Sequence, residues 1–352
     1  MRVAIFHDYF GAIGGGERVA LTLARALGAT VYTTDIHRPS IDRLGFQDVR
    51  MVSLGGLIPR VPLKQMHASL RFALARADAD AYVLSGNWAV YAGRRHHPNL
   101  SYCYTPVRAF YDLKRSVLER QRSPFHRALA RGWIAVHTAA DRIAWTQVDR
   151  IVAISENVRA RVRGYVGRDS SIIYPPTDVS RFRFGGLDDF WLSVNRLYPE
   201  KRLEIQFEAF RRLPHARLVV IGGFSRGDHA EEYVHKLSPP PNVELRGEVD
   251  EPELRRLYAR CRGLLCTALD EDFGMTPVEA MASGKIVLAV DEGGFRETVV
   301  FAEKIASLTT ADLEARADAC RRRAMQFDES RFLAAMRASL EEVSARPGRR
   351  AA

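Results

Sequence analysis

The sequence predicts an α/β protein with two domains, each built on a parallel, doubly wound sheet. Short apolar runs, typical of buried strands, alternate with amphipathic helical segments along almost the whole chain. Such alternation is the pattern of parallel sheets. A polar stretch with two consecutive prolines interrupts it near the middle. The chain has 352 residues, which is enough for two α/β domains of ordinary size.

A predicted strand, residues 3–7, runs into a glycine cluster and then into an amphipathic helix, residues 17–27. The cluster consists of Gly11, Gly14, Gly15 and Gly16. Glycines between a strand and a helix let the backbone approach a ligand and expose its N–H groups. A plain tight turn is the alternative, and the spacing differs from the G-x-G-x-x-G fingerprint of dinucleotide-binding proteins.

Further strands and helices alternate up to residue 174. The predicted strands are 31–34, 81–85, 100–105, 150–155 and 171–174. The predicted helices are 64–76, an Arg-rich region after Pro106, 125–145, and a helix capped by Ser155 that ends near residue 166. Two consecutive prolines, Pro175 and Pro176, then exclude a helix and favour an extended connector that reaches about residue 189.

We place the domain boundary in this connector, with an N-terminal domain of residues 1–183 and a C-terminal domain of residues 184–327. The strands predicted for the second domain are 190–194, 217–221, 243–246, 264–268 and 286–290. One predicted helix ends near residue 212, others begin at Asp250 and Thr276, residues 293–298 open a further helix, and the last one covers 312–325. A C-terminal helix at about 328–345 is expected to pack back on the first domain, and residues 346–352 are predicted to be disordered.

The stretch 269–284, LDEDFGMTPVEAMASG, is the strongest candidate for a functional site. After a buried strand comes a turn with three acids, a phenylalanine and a glycine: Asp270, Glu271, Asp272, Phe273 and Gly274. Thr276 is then predicted to cap a helix, with Glu279 completing a capping box. Backbone N–H groups and the positive end of a helix dipole thus meet at the carboxyl edge of a sheet, where α/β proteins bind phosphate-bearing ligands.

The acidic residues of this stretch also have simpler interpretations. Glu279 is explained by the capping box alone, and the acidic triplet could be a solvated turn. The triplet also has a faint likeness to a divalent-metal site, although a lone acidic triplet is a weak signal.

Arg196 and Lys201 form a second candidate group, because they flank a predicted turn between strand 190–194 and the helix after it. Arg supplies a planar fork of donors and Lys a mobile point charge, a pair suited to a pyrophosphate. The alternative is two solvated surface cations.

The net charge of +10 is unevenly distributed. Residues 1–185 carry 27 Lys and Arg against 14 Asp and Glu, whereas residues 186–352 carry 25 against 28. A basic first half suggests an anionic partner such as a membrane surface, a pyrophosphate-linked lipid or nucleic acid, or simply an Arg-rich surface. Nucleic acid is not expected as a partner, because no aromatic platform is interleaved with the basic residues.

One basic segment combines cations with large apolar residues on predicted helices, the composition of an element that lies on an anionic membrane. Its cations are Lys114, Arg115, Arg120, Arg122, Arg127 and Arg131. Its apolar residues are Phe110, Phe125, Trp133 and Ile134. The alternative is that these apolar residues pack into the core and the arginines are solvated.

The sequence also suggests where the protein acts. Its first residues turn polar too early for a signal peptide, and no uncharged apolar stretch is long enough to span a bilayer. The four cysteines lack the spacing of a metal site or a disulfide framework: Cys103, Cys261, Cys266 and Cys320. We therefore expect a cytoplasmic protein with reduced thiols, either free or peripheral at the inner face of the cell membrane.

Several motifs together resemble the retaining glycosyltransferases of family 4. Glu271 and Glu279 are separated by seven residues, with Phe-Gly after the first and Glu-Ala-Met-Ala-x-Gly at the second. Ile-Ser-Glu-Asn at 154–157 and Ile-Tyr-Pro-Pro-Thr-Asp at 173–178 add to the likeness. The resemblance extends from the glycine cluster to about Thr298 and implies the GT-B fold, two facing Rossmann-like domains with parallel sheets.

The resemblance implies transfer of a sugar with retention from a nucleotide-sugar donor, GDP- or UDP-linked, to a glycan or lipid-linked acceptor, with no metal and no further cofactor. The implied catalytic residues are Arg196, Lys201 and Glu271. The implied donor-binding residues are Gly15, Gly16, Arg196, Lys201, Gly222, Gly223, Gly247, Glu271, Phe273, Gly274, Met275, Thr276 and Glu279. The implied residues on the acceptor and sugar side are Asp8, Gly14, Tyr104 and Arg108.

Residues 101–108, SYCYTPVR, resemble lipopolysaccharide and polysaccharide mannosyltransferases, in which a His usually precedes Thr-Pro. Tyr104 stands at that position, and a phenol is neutral near pH 7, so it can offer hydrogen bonds only. Phe295 is a second departure, because the family usually has a small residue or Pro there.

Two other function classes are compatible with the sequence. A GT-B sugar-nucleotide epimerase would share the fold and the ligand. A non-catalytic, basic membrane-associated adaptor would explain the charge but not the ordered motifs at strand ends.

Overall fold

We describe the chain from a computed structural model, over residues 1–10, 14–58, 62–224, 230–299 and 308–345. The chain divides into two compact units: an N-terminal unit, Met1–Tyr174 with the chain from Phe332 onward, and a C-terminal unit, Pro175–Arg331. The division lies nine residues before the predicted boundary at 183, within the proline-containing connector. Gly11 of the glycine cluster and the predicted disordered tail 346–352 lie outside the described residues.

The N-terminal unit contains a seven-stranded parallel sheet with the strand order β3-β2-β1-β4-β5-β6-β7. Its strands are β1 Val3–His7, β2 Thr30–Thr33, β3 Met51–Ser53, β4 Ala81–Ser85, β5 Asn99–Cys103, β6 Arg150–Ala153 and β7 Ser171–Ile172. The central strands β1, β4 and β5 are buried along their whole length. This explains why β1 and β4 appear in the sequence as nearly continuous apolar runs.

The chain adds strands in one direction across the sheet from β1 to β3, and in the opposite direction from β4 to β7. Because parallel crossovers are right-handed, the helices of these two series cover opposite faces of the N-terminal sheet. The α-helices are α1 Gly15–Leu27, α2 Arg38–Arg43, α3 Leu63–Leu74, α4 Lys114–Glu119, α5 Pro124–Thr146 and α6 Glu156–Arg161. A 3₁₀ helix, Ala89–Arg94, connects β4 to β5 and contacts both α3 and α5.

The C-terminal unit contains a five-stranded parallel sheet with the order β10-β9-β8-β11-β12. Its strands are β8 Trp191–Val194, β9 Leu218–Ile221, β10 Val243–Gly247, β11 Gly263–Cys266 and β12 Ile286–Ala289. Its helices are α7 Leu203–Arg211, α8 Ala230–Lys236, α9 Glu251–Arg260, α10 Met275–Ala282, α11 Phe295–Thr298 and α12 Thr310–Ala324. The predicted class, α/β with parallel sheets, is confirmed.

The last helix, α13 Glu329–Ala345, lies against the N-terminal unit over most of its length. The ring of Phe332 packs edge-on against Tyr102, with the centroids 5.5 Å apart. Arg337 donates to the carbonyl of Ala26 at 2.9 Å, and Arg150 pairs with Glu342. Within the described ranges, no helix combines the length and the apolar character that crossing a membrane requires.

The helix caps show where the local sequence was sufficient to predict the start of a helix. Ser155 caps α6 as predicted, because its hydroxyl accepts from the backbone N–H of Val158 at 3.0 Å. Asp250 caps α9 in the same way. The capping box predicted at Thr276 is wrong: the N-cap of α10 is Gly274, two residues earlier, and the first helical residue is Met275. Gly274, which precedes it, has φ 90°, a left-handed conformation that glycine adopts at little cost.

The predicted membrane-facing set 110–134 is also partly wrong. Phe110 and Ile134 are buried, and Trp133 is half-buried. The Phe110 ring packs against Trp88 and Trp133, with centroids 6.2 Å and 5.6 Å away. Phe125 alone of the four is exposed. Apolar residues of α5 therefore lie on two faces of the helix, and one of these faces packs into the core.

Candidate functional site

Two loops of the C-terminal unit meet at the carboxyl ends of neighbouring strands. One follows β8 and the other follows β11, and these two parallel strands pair directly. The backbone N–H of Leu269 donates to the carbonyl of Glu200 at 2.7 Å. The hydroxyl of Thr267 donates to the carbonyl of Lys201, also at 2.7 Å. These bonds join the two stretches that the sequence marks as candidates.

Lys201 and Glu271 form an ion pair where the loops meet. The Lys201 Nζ lies 2.6 Å from Glu271 Oε2, and the two side chains are only 16% and 22% exposed. Charge-assisted hydrogen bonds of this kind are short and are stronger than neutral ones. The structure therefore brings together two residues that lie 70 positions apart in the chain and that the sequence assigned to the same site.

Arg202 contributes to this arrangement, and the sequence did not single it out. It adopts a left-handed conformation with φ 52°. Its guanidinium donates to the carbonyl of Thr267 at 2.7 Å and to Glu292 at 3.0 Å. Gln206 also donates to the hydroxyl of Thr267, at 2.8 Å. In the sequence Arg202 is one more cation next to Lys201, and neither its conformation nor its partners are local properties.

Arg196 lies on the outer side of the same loop. Its side chain is exposed, with the guanidinium 5.1 Å from the ring centroid of Tyr198. This cation–π contact orients the side chain without burying its charge. Lys201 is thus held by a carboxylate, whereas the described contacts of Arg196 are with an aromatic ring.

The predicted donor-binding glycines after β9 and β10 lie beside this loop. Gly222 has φ 140°, and a Cβ atom there would lie 1.7 Å from the carbonyl oxygen of Asn195. Only glycine fits this position. The N–H of Leu197 donates to the carbonyl of Gly223 at 2.9 Å, and the N–H of Gly222 donates to Gly247 at the same distance.

The N-terminus of α10 completes the group. A Cβ atom on Gly274 would lie 2.9 Å from the ring of Phe295, so the unusual Phe295 packs under the turn. The side chain of Phe273 is buried against Phe327, with ring centroids 5.4 Å apart, and belongs to the core. Met275 and Thr276 form the first turn of the helix and are half-buried.

Glu279 lies further along α10 and accepts a hydrogen bond from the hydroxyl of Tyr258 at 2.8 Å. Tyr258 is fully buried, and burial raises the pKa of its hydroxyl well above the ordinary value. The phenol is therefore a permanent donor that fixes one oxygen of the Glu279 carboxylate.

The glycine junction of the N-terminal unit is held by neutral groups. The hydroxyl of Tyr104 donates to the carbonyl of Gly16 at 2.9 Å and lies 3.0 Å from Ser85 Oγ. Ser85 Oγ in turn lies 3.1 Å from His7 Nδ1. Burial lowers the pKa of His7 to about 4 and raises the pKa of Tyr104, so both are neutral near pH 7. Sequence reasoning missed His7 and Ser85, which appear only as strand residues.

The remaining predicted residues of this unit are occupied by internal contacts. Asp8 accepts from the backbone N–H groups of Asn87, Trp88 and Ala89 at 2.7–2.8 Å. Burial raises the pKa of the Asp8 carboxyl to about 6, and these donors oppose the rise.

Two further groups of the predicted acceptor side pair locally. Arg108 Nη2 lies 2.5 Å from Asp112 Oδ2. Gly14 donates its N–H to Glu17 at 2.8 Å and so starts α1, with Gly15 as its first residue. The Gly14 contact positions the start of α1, and neither contact tests the role predicted for its residue.

Residues 181–322 match the family described as glycosyl transferases group 1. The chain is 24% identical to human GDP-Man:Man(3)GlcNAc(2)-PP-Dol alpha-1,2-mannosyltransferase, over 85% of the chain and 74% of that protein. It is 26% identical to mannosylfructose-phosphate synthase of Agrobacterium fabrum, over 84% of the chain and 75% of that protein.

Solved structures are similar in fold over nearly the whole chain. Anabaena HepE in complex with UDP and glucose superposes with a TM-score of 0.71 at 16% identity and covers 97% of this chain and 100% of its own. Sucrose-phosphate synthase from Thermosynechococcus elongatus gives a TM-score of 0.70 at 16% identity, over 98% and 99% of the two chains.

Proposed function

We propose a specific reaction for this chain, which is a glycosyltransferase of GT-B fold with a glycosyl transferases group 1 domain at residues 181–322. It transfers mannose or another hexose, with retention, from a GDP- or UDP-linked donor to a glycan or lipid-linked glycan. The observation that carries the proposal is the half-buried ion pair of Lys201 and Glu271 where two strand-end loops meet, next to the N-terminus of α10.

The charges at this site suit a departing nucleoside diphosphate. Lys201, Arg196 and the N-terminal N–H groups of α10 would stabilise the negative charge that builds on the leaving group. An incoming diphosphate would compete with Glu271 for the ammonium group of Lys201. Glu271 would then be released to hydrogen-bond the hydroxyls of the sugar.

Glu279 is assigned to the ribose of the donor. One of its oxygens accepts from Tyr258, and this bond orients the carboxylate. The loop glycines Gly222, Gly223 and Gly247 would line the nucleotide, since the tight packing at Gly222 excludes any side chain there.

We assign retention to attack on the same face of the sugar, assisted by the leaving phosphate. None of the three proposed catalytic residues acts as a carboxylate nucleophile, because Glu271 is assigned to hydrogen-bond the hydroxyls of the sugar. Since cationic side chains and a helix terminus supply the positive charge, the reaction is proposed to need no divalent metal. Full activity in EDTA supports this, whereas loss in EDTA with recovery in Mg²⁺ or Mn²⁺ contradicts it.

The donor assignment is open to a direct screen. GDP-mannose, UDP-glucose and the free diphosphates are added singly, and the melting temperature is measured for the wild type and Lys201→Ala. A ligand that binds the native state raises the melting temperature. We expect one donor class to raise it in the wild type and to have little effect in the variant, while an equal rise in both removes Lys201 from the donor site.

The reaction itself is tested by product analysis. Incubation of donor with acceptor, followed by NMR of the new glycosidic bond, should show the anomeric configuration of the donor. Conversion of the nucleotide sugar without an acceptor would indicate an epimerase instead. Binding of donor without turnover of any kind would favour a non-catalytic role.

We also propose that the enzyme works at an anionic membrane surface on the inner face of the cell membrane, where a lipid-linked acceptor would be reached. The support is the basic N-terminal half, with 27 Lys and Arg against 14 Asp and Glu in residues 1–185. Electrostatic attraction of this kind is reversible and screened by salt.

A further inference from the structure

Helix α5 carries an apolar stripe on its solvent side. Phe125, Leu129, Val136 and Ile143 are between 58% and 69% exposed. They follow one another at intervals of four, seven and seven residues, so they lie along one line of the helix. Gly132 and Ala139 lie on the same line and are also exposed.

This stripe is opposite the face of α5 that packs into the core. The buried residues of the helix include Ile134, Asp141 and Trp145. Ile134 and Val136 are two positions apart, about 200° around the helix axis. The exposed apolar groups are therefore separate from the core, although a surface helix normally has a polar outer face.

Helix α3 shows the same feature. Leu63, Met66, Leu70 and Leu74 are between 46% and 55% exposed. Both α3 and α5 contact the 3₁₀ helix Ala89–Arg94, and their crossovers run in the same direction across the sheet. The two helices thus belong to one layer on one face of the sheet.

We call the outer side of this layer the α3–α5 surface, defined by these eight apolar side chains. They are half of the sixteen large hydrophobic residues that are exposed in the described ranges. Concentrations of exposed apolar residues on soluble proteins mark interaction sites.

The charge around α5 is strongly positive. Residues 113–146 contain seven Lys and Arg, namely Lys114, Arg115, Arg120, Arg122, Arg127, Arg131 and Arg142. The acids are Glu119, which pairs with Arg115, and Asp141, which is buried. Four of the cations line a cavity of about 530 Å³ between α4 and α5, together with Asp112 and Glu119.

We infer that the α3–α5 surface inserts its apolar side chains into the headgroup region of an anionic membrane, an inference that rests on the proposed action at a membrane. Apolar residues on one side and cations on the flank are the composition of helices that lie in the membrane interface. A second copy of the chain is a poorer occupant, because two copies would bring the same cationic flanks together.

Vesicle sedimentation tests this inference with full-length protein. We expect the wild type to pellet with phosphatidylcholine vesicles that contain phosphatidylglycerol, at low salt, and to ignore pure phosphatidylcholine. Val136→Gln with Ile143→Gln, and separately Leu70→Gln with Leu74→Gln, should each reduce the partition coefficient at least tenfold. Ile205→Gln, an exposed apolar residue of α7, is the matched control and should bind as the wild type does.

Two further measurements make the outcome decisive. Circular dichroism confirms that each variant is folded, and light scattering reports the oligomeric state. Unchanged pelleting of the folded variants overturns the inference, as does a wild-type dimer that these substitutions dissociate.

Transfer to a short, water-soluble acceptor should stay at the wild-type rate in both variants. Vesicle binding without any transferase activity would refute the proposed function but not the membrane-binding role of the α3–α5 surface. Transferase activity without vesicle binding would refute only the membrane-binding role of this surface.

Discussion

The two sheets contain the same kind of junction, held by different chemistry. In the N-terminal unit, the start of α1 is tied to β4 by buried neutral groups, His7, Ser85 and Tyr104. In the C-terminal unit, the loop before α7 is tied to the loop after β11 by the ions Lys201, Arg202 and Glu271.

We interpret the neutral junction of the N-terminal unit as structural, and the ionic junction of the C-terminal unit as a contact that a ligand can exchange. An anionic ligand can replace one partner of an ion pair, because the cation then keeps a negative partner. A buried neutral chain offers no such exchange, since each broken bond leaves a buried polar group unsatisfied. We therefore expect substitutions at the ionic junction to change catalysis, and substitutions at the neutral junction to change stability.

The largest expected effect is on turnover in Lys201→Ala and Arg196→Ala. Loss of one charge-assisted contact to the departing diphosphate should cost about 2–4 kcal/mol in the transition state, or roughly 30- to 1000-fold in kcat/KM. Lys236→Ala, at an exposed lysine of α8, is the control and should leave kcat/KM unchanged. Near-normal transfer by both site variants would show that the ionic junction has no catalytic role that distinguishes it from the neutral junction.

Arg202→Ala should lower kcat/KM by a smaller factor, about tenfold, through misplacement of Lys201. Its guanidinium touches Thr267 and Glu292 and so positions the loop. Arg202→Lys should recover part of the loss, since a charged donor is restored. Arg212→Ala, at an exposed cation at the end of α7, should have no effect on kinetics. Equal effects of the two alanine variants would show that Arg202 has no positioning role.

The neutral junction predicts a pH dependence of stability. The pKa of His7 is about 4 in the folded state against 6.5 in the unfolded chain, so the unfolded state binds the proton more tightly. The stability that neutral His7 contributes is present above pH 6.5 and is lost as the pH falls toward 4, by about 2–3 kcal/mol. Urea unfolding at pH 7 and pH 4.5 measures it.

Asp8 opposes this trend, because its folded pKa is raised to about 6. Its contribution is present below about pH 4 and is lost as the pH rises through 6. The His7 term is isolated by His7→Asn, which should flatten the loss between pH 7 and pH 4.5. A variant whose pH profile matches that of the wild type would show that His7 is not the titrating group.

The smallest expected effect is that of Tyr104→Phe. The variant loses the bond to the Gly16 carbonyl and should destabilise the protein by about 1–2 kcal/mol, with KM for the donor changed less than threefold. Denaturant unfolding and steady-state kinetics measure the two quantities. A large loss of kcat with unchanged stability would give Tyr104 a direct part in the reaction, in place of the structural one.

The sequence predicted those features that depend on local pattern. The strand β1, the strand β4, the cap at Ser155 and the helix start at Asp250 follow from short runs of residues and occur as predicted. Short elements such as α2, β3 and α8 carry too few residues for a clear periodicity and were missed.

Features that depend on long-range packing could not be predicted in this way. The capping box at Thr276 failed because the left-handed turn at Gly274 starts the helix earlier. The partners of Arg202 lie 65 and 90 residues away. For α5, a helix with two apolar sides, periodicity did not show which side is buried, and Ile134 was assigned to the wrong one.

The exchange of Lys201 from Glu271 to a diphosphate is tested most directly by calorimetric titration of GDP and UDP into the wild type, Lys201→Ala and Glu271→Gln. We expect Lys201→Ala to weaken binding of the preferred diphosphate at least tenfold. Glu271→Gln, which removes the competing carboxylate, should bind it as tightly as the wild type or more tightly, while its transfer rate falls. Equal weakening of diphosphate binding in both variants, or in neither, would contradict the exchange.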